Sequence, residues 1–555
     1  MARALASLTL GASLAALPAL AQQPTLEDLM RRIETLQRRV DELEGARRQP
    51  AAAPAPRPRT PAVVAPVAAP APPPPPAPAP TLARTPARTP TPLVAPYPAL
   101  QPYNPDDPAR DQPRSAPAPR PPAEIRAEVD EALRGSLDGL AMRVPNTDTS
   151  VRLYGFVRFT GYRDFNGRNQ TDAAAVQSIP LNGSAADRQG GDGDYTARGS
   201  RIGVDTRTPT HLGQLDTTIE ADFRGEISPG GDLAFRLRLA FAELTQGDWR
   251  FLLGQANSLW NDGLFEAYHD ATNLNQSFVR QTQLRVSRRF GENLTAQMSL
   301  EAPSADLTTS RGAITPNSRL DGGASPAFEE FPDVAGRLTW RNADNEFVLR
   351  GLLRQISLRP EGTTFAPAPE KDVLGYGVAA HARIGLGQFL PALGRDEFTV
   401  MGFYGEGLGR YMAGNSFGLG AVSNIGMTGG SDYSLDTVPS YGGLAAYRHF
   451  WSPTLRSNLA YSYARQDFPS YVSGFTPGSA AALSMNREMQ QVIANIIWSP
   501  FAERTTTRQP FGWFDMGLEY VWSRRELEGG AAAAGPGVQG NGEANRIVAF
   551  GVARF

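Results

Sequence analysis

From Val151 onward the chain repeats with a period of two, and that pattern limits its folding more than any other feature. Val151, Leu153, Gly155, Val157 and Phe159 alternate with Arg152, Tyr154, Phe156, Arg158 and Thr160. Leu215, Thr217, Ile219, Ala221 and Phe223 alternate with Asp216, Thr218, Glu220, Asp222 and Arg224. Leu233, Phe235, Leu237 and Leu239 alternate with Ala234, Arg236, Arg238 and Ala240. The same phase returns at Leu294, Ala296, Met298 and Leu300, and near the end at Phe514, Met516, Leu518, Tyr520 and Trp522. Successive side chains of a strand point to opposite faces, so each run presents one apolar face and one polar face.

A soluble sandwich or a β-helix would also alternate. Three features favour a transmembrane barrel. The polar partners are often full charges, as a water-filled lumen requires. Connections alternate in length: 291–293 and 342–345 are tight turns, whereas the Gly-, Ser- and Asn-rich stretches 165–200 and 409–440 are long, the pattern of short periplasmic turns and long external loops. The chain also closes on Phe555 after a last alternating run, which resembles the assembly signal of outer-membrane barrels, although Ala553 stands where an aromatic is common. At ~9–11 residues per strand, residues 146–555 hold roughly 16 antiparallel strands, a size that leaves an aqueous channel. The expected fold class is all-β.

The residues ahead of the barrel read as four further segments. Residues 1–21 form a signal peptide: Arg3 is the positive region, 5–17 the apolar region, and Ala19 to Ala21 a small-x-small cleavage site. No later apolar run reaches the ~18–20 residues of a membrane helix. Residues 22–49 form a coiled-coil helix, because Leu26, Leu29, Ile33, Leu36, Val40 and Leu43 repeat at heptad spacing. Three heptads are marginal alone. Residues 50–122 are Pro- and Ala-rich and read as a disordered linker, with a reach on the order of 200 Å. Residues 123–145 read as a short amphipathic helix and connector carrying Ile125, Val129, Leu133 and Leu140.

Composition excludes several functions. There is no cysteine, hence no disulfide or thiolate metal site. His211, His269, His381 and His449 share no metal-ligand spacing. A net charge of −2 gives no sign of a nucleic-acid partner. Gly414, Ser416 and Gly418 match a nucleophile-elbow pattern but lie in a glycine-rich loop without the required strand and helix, which speaks against an outer-membrane hydrolase. No catalytic residue, cofactor or metal is expected. Lys371 is the only lysine, so almost every cation is an arginine, always ionised and able to grip carboxylates bidentately.

The run 145–158, with its Val-Arg-Leu-Tyr-Gly-Phe-Val-Arg core, resembles the first barrel strand of the DcaP-like porins. Ser200 to Val204 with Thr208, Pro209, Thr210 and Gly213 resembles that family's second strand and turn, and 219–223 its third strand. The runs 237–243, Gly254-Gln255 and 278–285 resemble the next three. The likeness is continuous over about 145–302. The long proline linker departs from it. The resemblance implies a homotrimeric outer-membrane porin that takes up small anionic solutes, notably dicarboxylates. In the charged phase Arg152, Arg158, Arg201, Arg207, Arg236, Arg238, Arg280, Arg285 and Arg289 would line the lumen. The loop 256–277, with Asp262, Glu266 and Asp270, would fold inward to oppose them. Alternatively the arginines form ordinary lumen ion pairs with Glu220, Asp222 and Glu301. A second function is compatible with the first: the barrel anchors a periplasmic coiled coil that contacts the cell wall.

Overall fold

The computed structural model describes residues 137 and 139–555, apart from 169–171, 173–174, 226–233, 269–272, 305, 315–326, 361–367, 413–418, 428–431, 503–511 and 530–534. The expected signal peptide, heptad helix and linker lie outside the described residues, as do the pattern at 414–418, His269 and Asp270.

Sixteen antiparallel strands form a closed barrel: β1 (Ser150–Asn166), β2 (Arg201–Thr210), β3 (Gly213–Asp222), β4 (Arg236–Gln246), β5 (Trp249–Asn257), β6 (Arg280–Phe290), β7 (Leu294–Glu301), β8 (Asp333–Arg341), β9 (Asn345–Leu358), β10 (Lys371–Gly385), β11 (Glu397–Glu406), β12 (Pro439–Ser452), β13 (Leu455–Gln466), β14 (Asn486–Trp498), β15 (Phe514–Leu527) and β16 (Asn541–Arg554). Each pairs with its sequence neighbour. The upper part of β1 closes the ring on β16, from Phe156 opposite Arg554 to Tyr162 opposite Val548. Closure leaves no free sheet edge, a requirement for backbone in hydrocarbon. Short turns at one end alternate with long connections at the other.

The period of two separates the faces as expected. Leu153, Val157, Ile219, Leu253, Leu284, Leu349 and Leu518 point outward and are exposed, forming the lipid-facing belt. Arg152, Asp205, Glu220, Asp222, Arg350 and Glu519 point inward and are buried. Leu284 sits mid-strand on the outer face, 61% exposed. Leu284→Arg should therefore cost about 2–4 kcal/mol of barrel stability. Urea titration in detergent micelles measures this, and an unchanged midpoint would contradict the assignment of that face to lipid.

Two expectations need correction. Alternation assigns Leu239 to the apolar face of β4, but it is buried inside, 1% exposed. A register shift between Glu220 and Ala221 of β3 lets Arg238 and Leu239 both turn inward, and Ala240 opposite Ile219 takes the outward phase. Gln255 secures the irregularity by donating to the carbonyls of Leu237 (3.2 Å) and Arg238 (3.0 Å). Gly254 beside it has φ of 119°, and a Cβ there would sit 2.3 Å from the Ala240 carbonyl oxygen. Leu140, assigned to a helix face, instead opens the strand Leu140–Arg143, which pairs with β1 from Leu153 to Ser150. β16 ends opposite Phe156, so the lower edge of β1 needs another partner, and this demand overrides local helical periodicity.

The lumen is partly filled. Leu259, Trp260, Leu274 and Val279 between β5 and β6 pack with Val176 from the β1–β2 connection and with Leu408, Tyr411 and Met412 after β11. The connections after β7 and β11 also build a four-stranded sheet from Leu307–Thr309, Gly312–Ile314, Ala421–Ser423 and Leu435–Thr437.

Candidate pore constriction

Twenty-two residues separate the end of β5 at Asn257 from the start of β6 at Arg280. Most of those described are buried and none is exposed, because the loop folds into the barrel and lies against the inner wall. Its apolar side chains explain this. Leu264 and Phe265 pack on Met401, Leu444, Ala446, Ala460, Ile493 and Val521, inward residues of β11 to β15. The Tyr268 ring stacks on Phe550 of β16 at 3.7 Å.

A buried loop backbone must find hydrogen-bond partners inside the barrel. Arginines from four strands donate to its carbonyls: Arg158 of β1 to Tyr268, Arg337 of β8 to Asn261 (2.8 Å), Arg350 of β9 to Trp260, and Arg383 of β10 to Gly263 (2.9 Å). Wall acceptors take the loop amides. Leu259 donates to Glu301 (3.1 Å), Tyr268 to Glu519 (2.8 Å) and Leu274 to Gln491 (2.8 Å). Asn275, in the left-handed region at φ 65°, donates to the carbonyls of Gly443 and Tyr463.

The loop carboxylates complete the anchorage. Asp262 meets Arg350 at 2.5 Å, His381 at 3.2 Å and Arg337 at 3.7 Å. Burial alone would raise its pKa, but Arg350, His381 and Arg337 outweigh that and hold the carboxyl well below the usual carboxylate range. Glu266 takes a bidentate pair from Arg456, at 2.7 and 2.6 Å. The Tyr268 hydroxyl donates to Glu266 (3.0 Å) and Asp515 (2.9 Å). Burial, and then those two carboxylates, push its pKa well above the usual phenol value, so it stays a donor.

The residues singled out in the sequence separate into two groups that do not face each other in ion pairs. Arg152 binds Asp205 (3.0 Å), Arg207 binds Asp216 (2.9 Å), Arg236 binds Asp222 (2.7 Å), Arg238 binds both Glu220 and Asp222, and Arg201 reaches Glu220 at 3.4 Å. These are pairs within the β1–β4 wall, the ordinary lumen pairing considered above. Arg285 holds Gln283 (3.0 Å) and the Asn257 carbonyl, Arg280 starts β6 opposite Asn257, and Arg158 holds the loop at Tyr268. Arg289 departs from that expectation: still paired with Thr295 but one residue from the end of β6, it lies at the short-turn rim beside exposed Asp248 (3.2 Å) rather than in the lumen. Asp262 and Glu266 do fold inward, but their partners are Arg350, Arg337 and Arg456, three arginines outside the expected set. The signal for these was present: Arg350 and Arg354 alternate with Leu349, Gly351 and Leu353 in the same phase as the earlier strands.

Residues 140–362 match the family model described as DcaP outer membrane protein. No curated protein matches the chain. The crystal structure of the outer membrane channel DcaP of Acinetobacter baumannii is similar at 20% identity and a TM-score of 0.56, covering 75% of this chain and 99% of that one. OmpT of Vibrio cholerae matches at 10% identity, a TM-score of 0.43, and 74% and 99% coverage. Salmonella typhi OmpF matches at 9%, 0.42, and 75% and 100%. The barrel thus has the fold of outer-membrane porins, and residues 140–362 match the DcaP outer membrane protein family.

Proposed function

We propose that the barrel is a water-filled channel for passive uptake of small anionic solutes, with dicarboxylates the favoured class. The observation that carries this reading is an imbalance of exposure in the lumen. Asp205, Glu220, Asp222, Asp262, Glu266 and Glu301 are each at most 4% exposed. The side chain of Arg236 stays 36% exposed and that of Arg337 18%, and Arg158 and Arg280 are half-buried. Asp205, Glu220, Asp222, Asp262 and Glu266 are each covered by a guanidinium, and Glu301 by Gln281 and Tyr411, so a solute meets the cations first. Fixed guanidinium donors attract carboxylates by field and by paired hydrogen bonds. Reversal potential across a planar bilayer in a salt gradient tests this. Anion preference is expected, reduced by the combined substitution Arg158→Gln, Arg236→Gln and Arg337→Gln. Cation preference in the unsubstituted protein overturns the reading.

The functional unit is a homotrimer in outer-membrane lipid, as the family resemblance implies and the heptad seam of residues 22–49 supports. The strand Leu140–Arg143 supports a second, compatible role. It pairs with the lower end of β1, from Leu153 to Ser150, and so fixes where the chain enters the barrel, a fitting base for a periplasmic segment that holds the cell wall. Deleting 22–122 should leave single-channel currents intact while weakening envelope cohesion.

A further inference from the structure

The outer wall carries a feature that conduction does not use. Arg288 of β6 points outward and is exposed, and its guanidinium pairs with no carboxylate among the described residues. It lies instead over two rings, 4.9 Å from Trp249 and 4.7 Å from Phe290. A cation on the lipid-facing side at the short-turn rim, seated on aromatic rings, lacks only an anion.

Beside it the wall is hollow. A groove of about 420 Å³ is lined by Leu338, Trp340, Phe347, Ala380, Ala382 and Gly402 among others, almost wholly apolar. Small outward residues create it: a Cβ added at Gly402 would meet nothing nearer than the Gly442 carbonyl oxygen at 3.9 Å. Trp340 and Phe347, packed at 5.6 Å, form its wall toward the rim.

Strand register joins the cation to the groove. Arg288 lies beside Ala296, Ala296 beside Leu338, Leu338 beside Leu349, Leu349 beside Ala380, and Ala380 beside Gly402. The row spans five strand spacings, roughly 24 Å. It also descends into the bilayer. Arg288 is two residues from the short-turn end of its strand, Leu338 three, Leu349 four, and Ala380 and Gly402 five. A polar end at the rim and an apolar trough sinking toward the membrane centre match one molecule, a diacyl phospholipid of the periplasmic leaflet.

We propose that the outer face of β6 to β11 binds a phospholipid, its phosphate on Arg288 and one acyl chain along the groove. The phosphate forms charge-assisted hydrogen bonds with a guanidinium already oriented by Trp249 and Phe290. The acyl chain fills a hollow that freely moving lipid would pack poorly.

Native mass spectrometry of the full-length protein with added phosphatidylglycerol tests the proposal, on the unsubstituted protein and on Arg288→Gln and Gly402→Leu. One phosphatidylglycerol per protomer should be retained. Arg288→Gln, at an exposed site away from the groove, should weaken retention about fivefold. Gly402→Leu should weaken it by occupying the trough, with single-channel currents of both variants unchanged. No retained lipid, or equal retention by all three proteins, overturns the proposal. So does dissociation of the oligomer by Gly402→Leu without lipid loss, which would assign the groove to a second copy of the chain. Should Gly402→Leu fail to give currents, Arg288→Gln alone decides. Because retention is read by mass, the result stands whether or not the channel favours anions.

Discussion

Removing both carboxylates of the inward loop, as Asp262→Ala with Glu266→Ala, should raise single-channel conductance severalfold and make the open current noisy. Asp262 and Glu266 are 2% and 1% exposed, and their partners Arg350 and Arg456 are 3% and 2%. Deleting one member of a buried pair leaves an uncompensated charge and costs about 3–5 kcal/mol. In the closed barrel that penalty falls on the docked loop, since undocking lets water reach Arg350 and Arg456. Each single variant should lie between the unsubstituted and doubly substituted proteins. Unchanged conductance would mean that the apolar contacts of Leu264 and Phe265 hold the loop alone. Mild acid is no substitute for the mutation. Asp262 has a depressed pKa in the folded state, so its contribution is present above the ordinary carboxylate value and lost only as pH falls through the lower, folded one. Its anchor therefore survives acidification to about pH 4, where unpaired carboxylates begin to protonate.

The barrel was legible in the sequence because its cause is local. Alternation in β1 to β3 arises from one face meeting lipid and the other meeting charge, and neither depends on which strand lies alongside. The parts that escaped depend on closure. The inward turn of Leu239 is decided by a register shift against β3, which no periodicity in β4 contains. β14 reads as nearly continuous apolar sequence over Val492 to Trp498, because inward Ile493 and Ile497 are covered by the loop and its Tyr268 rather than by water. The loop's descent was foreseeable from its length and composition. Its partners were not, since Glu266 and Arg456 stand 190 residues apart and meet only once the ring is complete. Arginine number alone was equally uninformative about selectivity: Arg152, Arg201 and Arg238 are buried against wall carboxylates, whereas Arg236 and Arg337 keep exposed surface.

Arg456→Ala should lower the barrel's stability by about 3–5 kcal/mol, the largest loss expected from any single lumen side chain considered. Its guanidinium joins elements that are remote in sequence. It binds Glu266 of the loop through two oxygens, the Ser499 hydroxyl after β14 at 2.5 Å, and Asp515 of β15 at 3.5 Å. Asp515 in turn receives Arg554, the last residue of the closing strand, at 2.7 Å. The side chains of Glu266 and Asp515 are both fully buried, so neither can recruit water when the cation is removed. Arg456→Lys keeps the charge but loses the paired geometry, and should fall between. The readout is the temperature at which the folded barrel's electrophoretic mobility changes in detergent. A cycle with Glu266→Gln separates the pair from general disruption. If Arg456→Ala costs as much in the Glu266→Gln background as in the unsubstituted protein, the two do not act together, and Arg456 holds the wall rather than the loop.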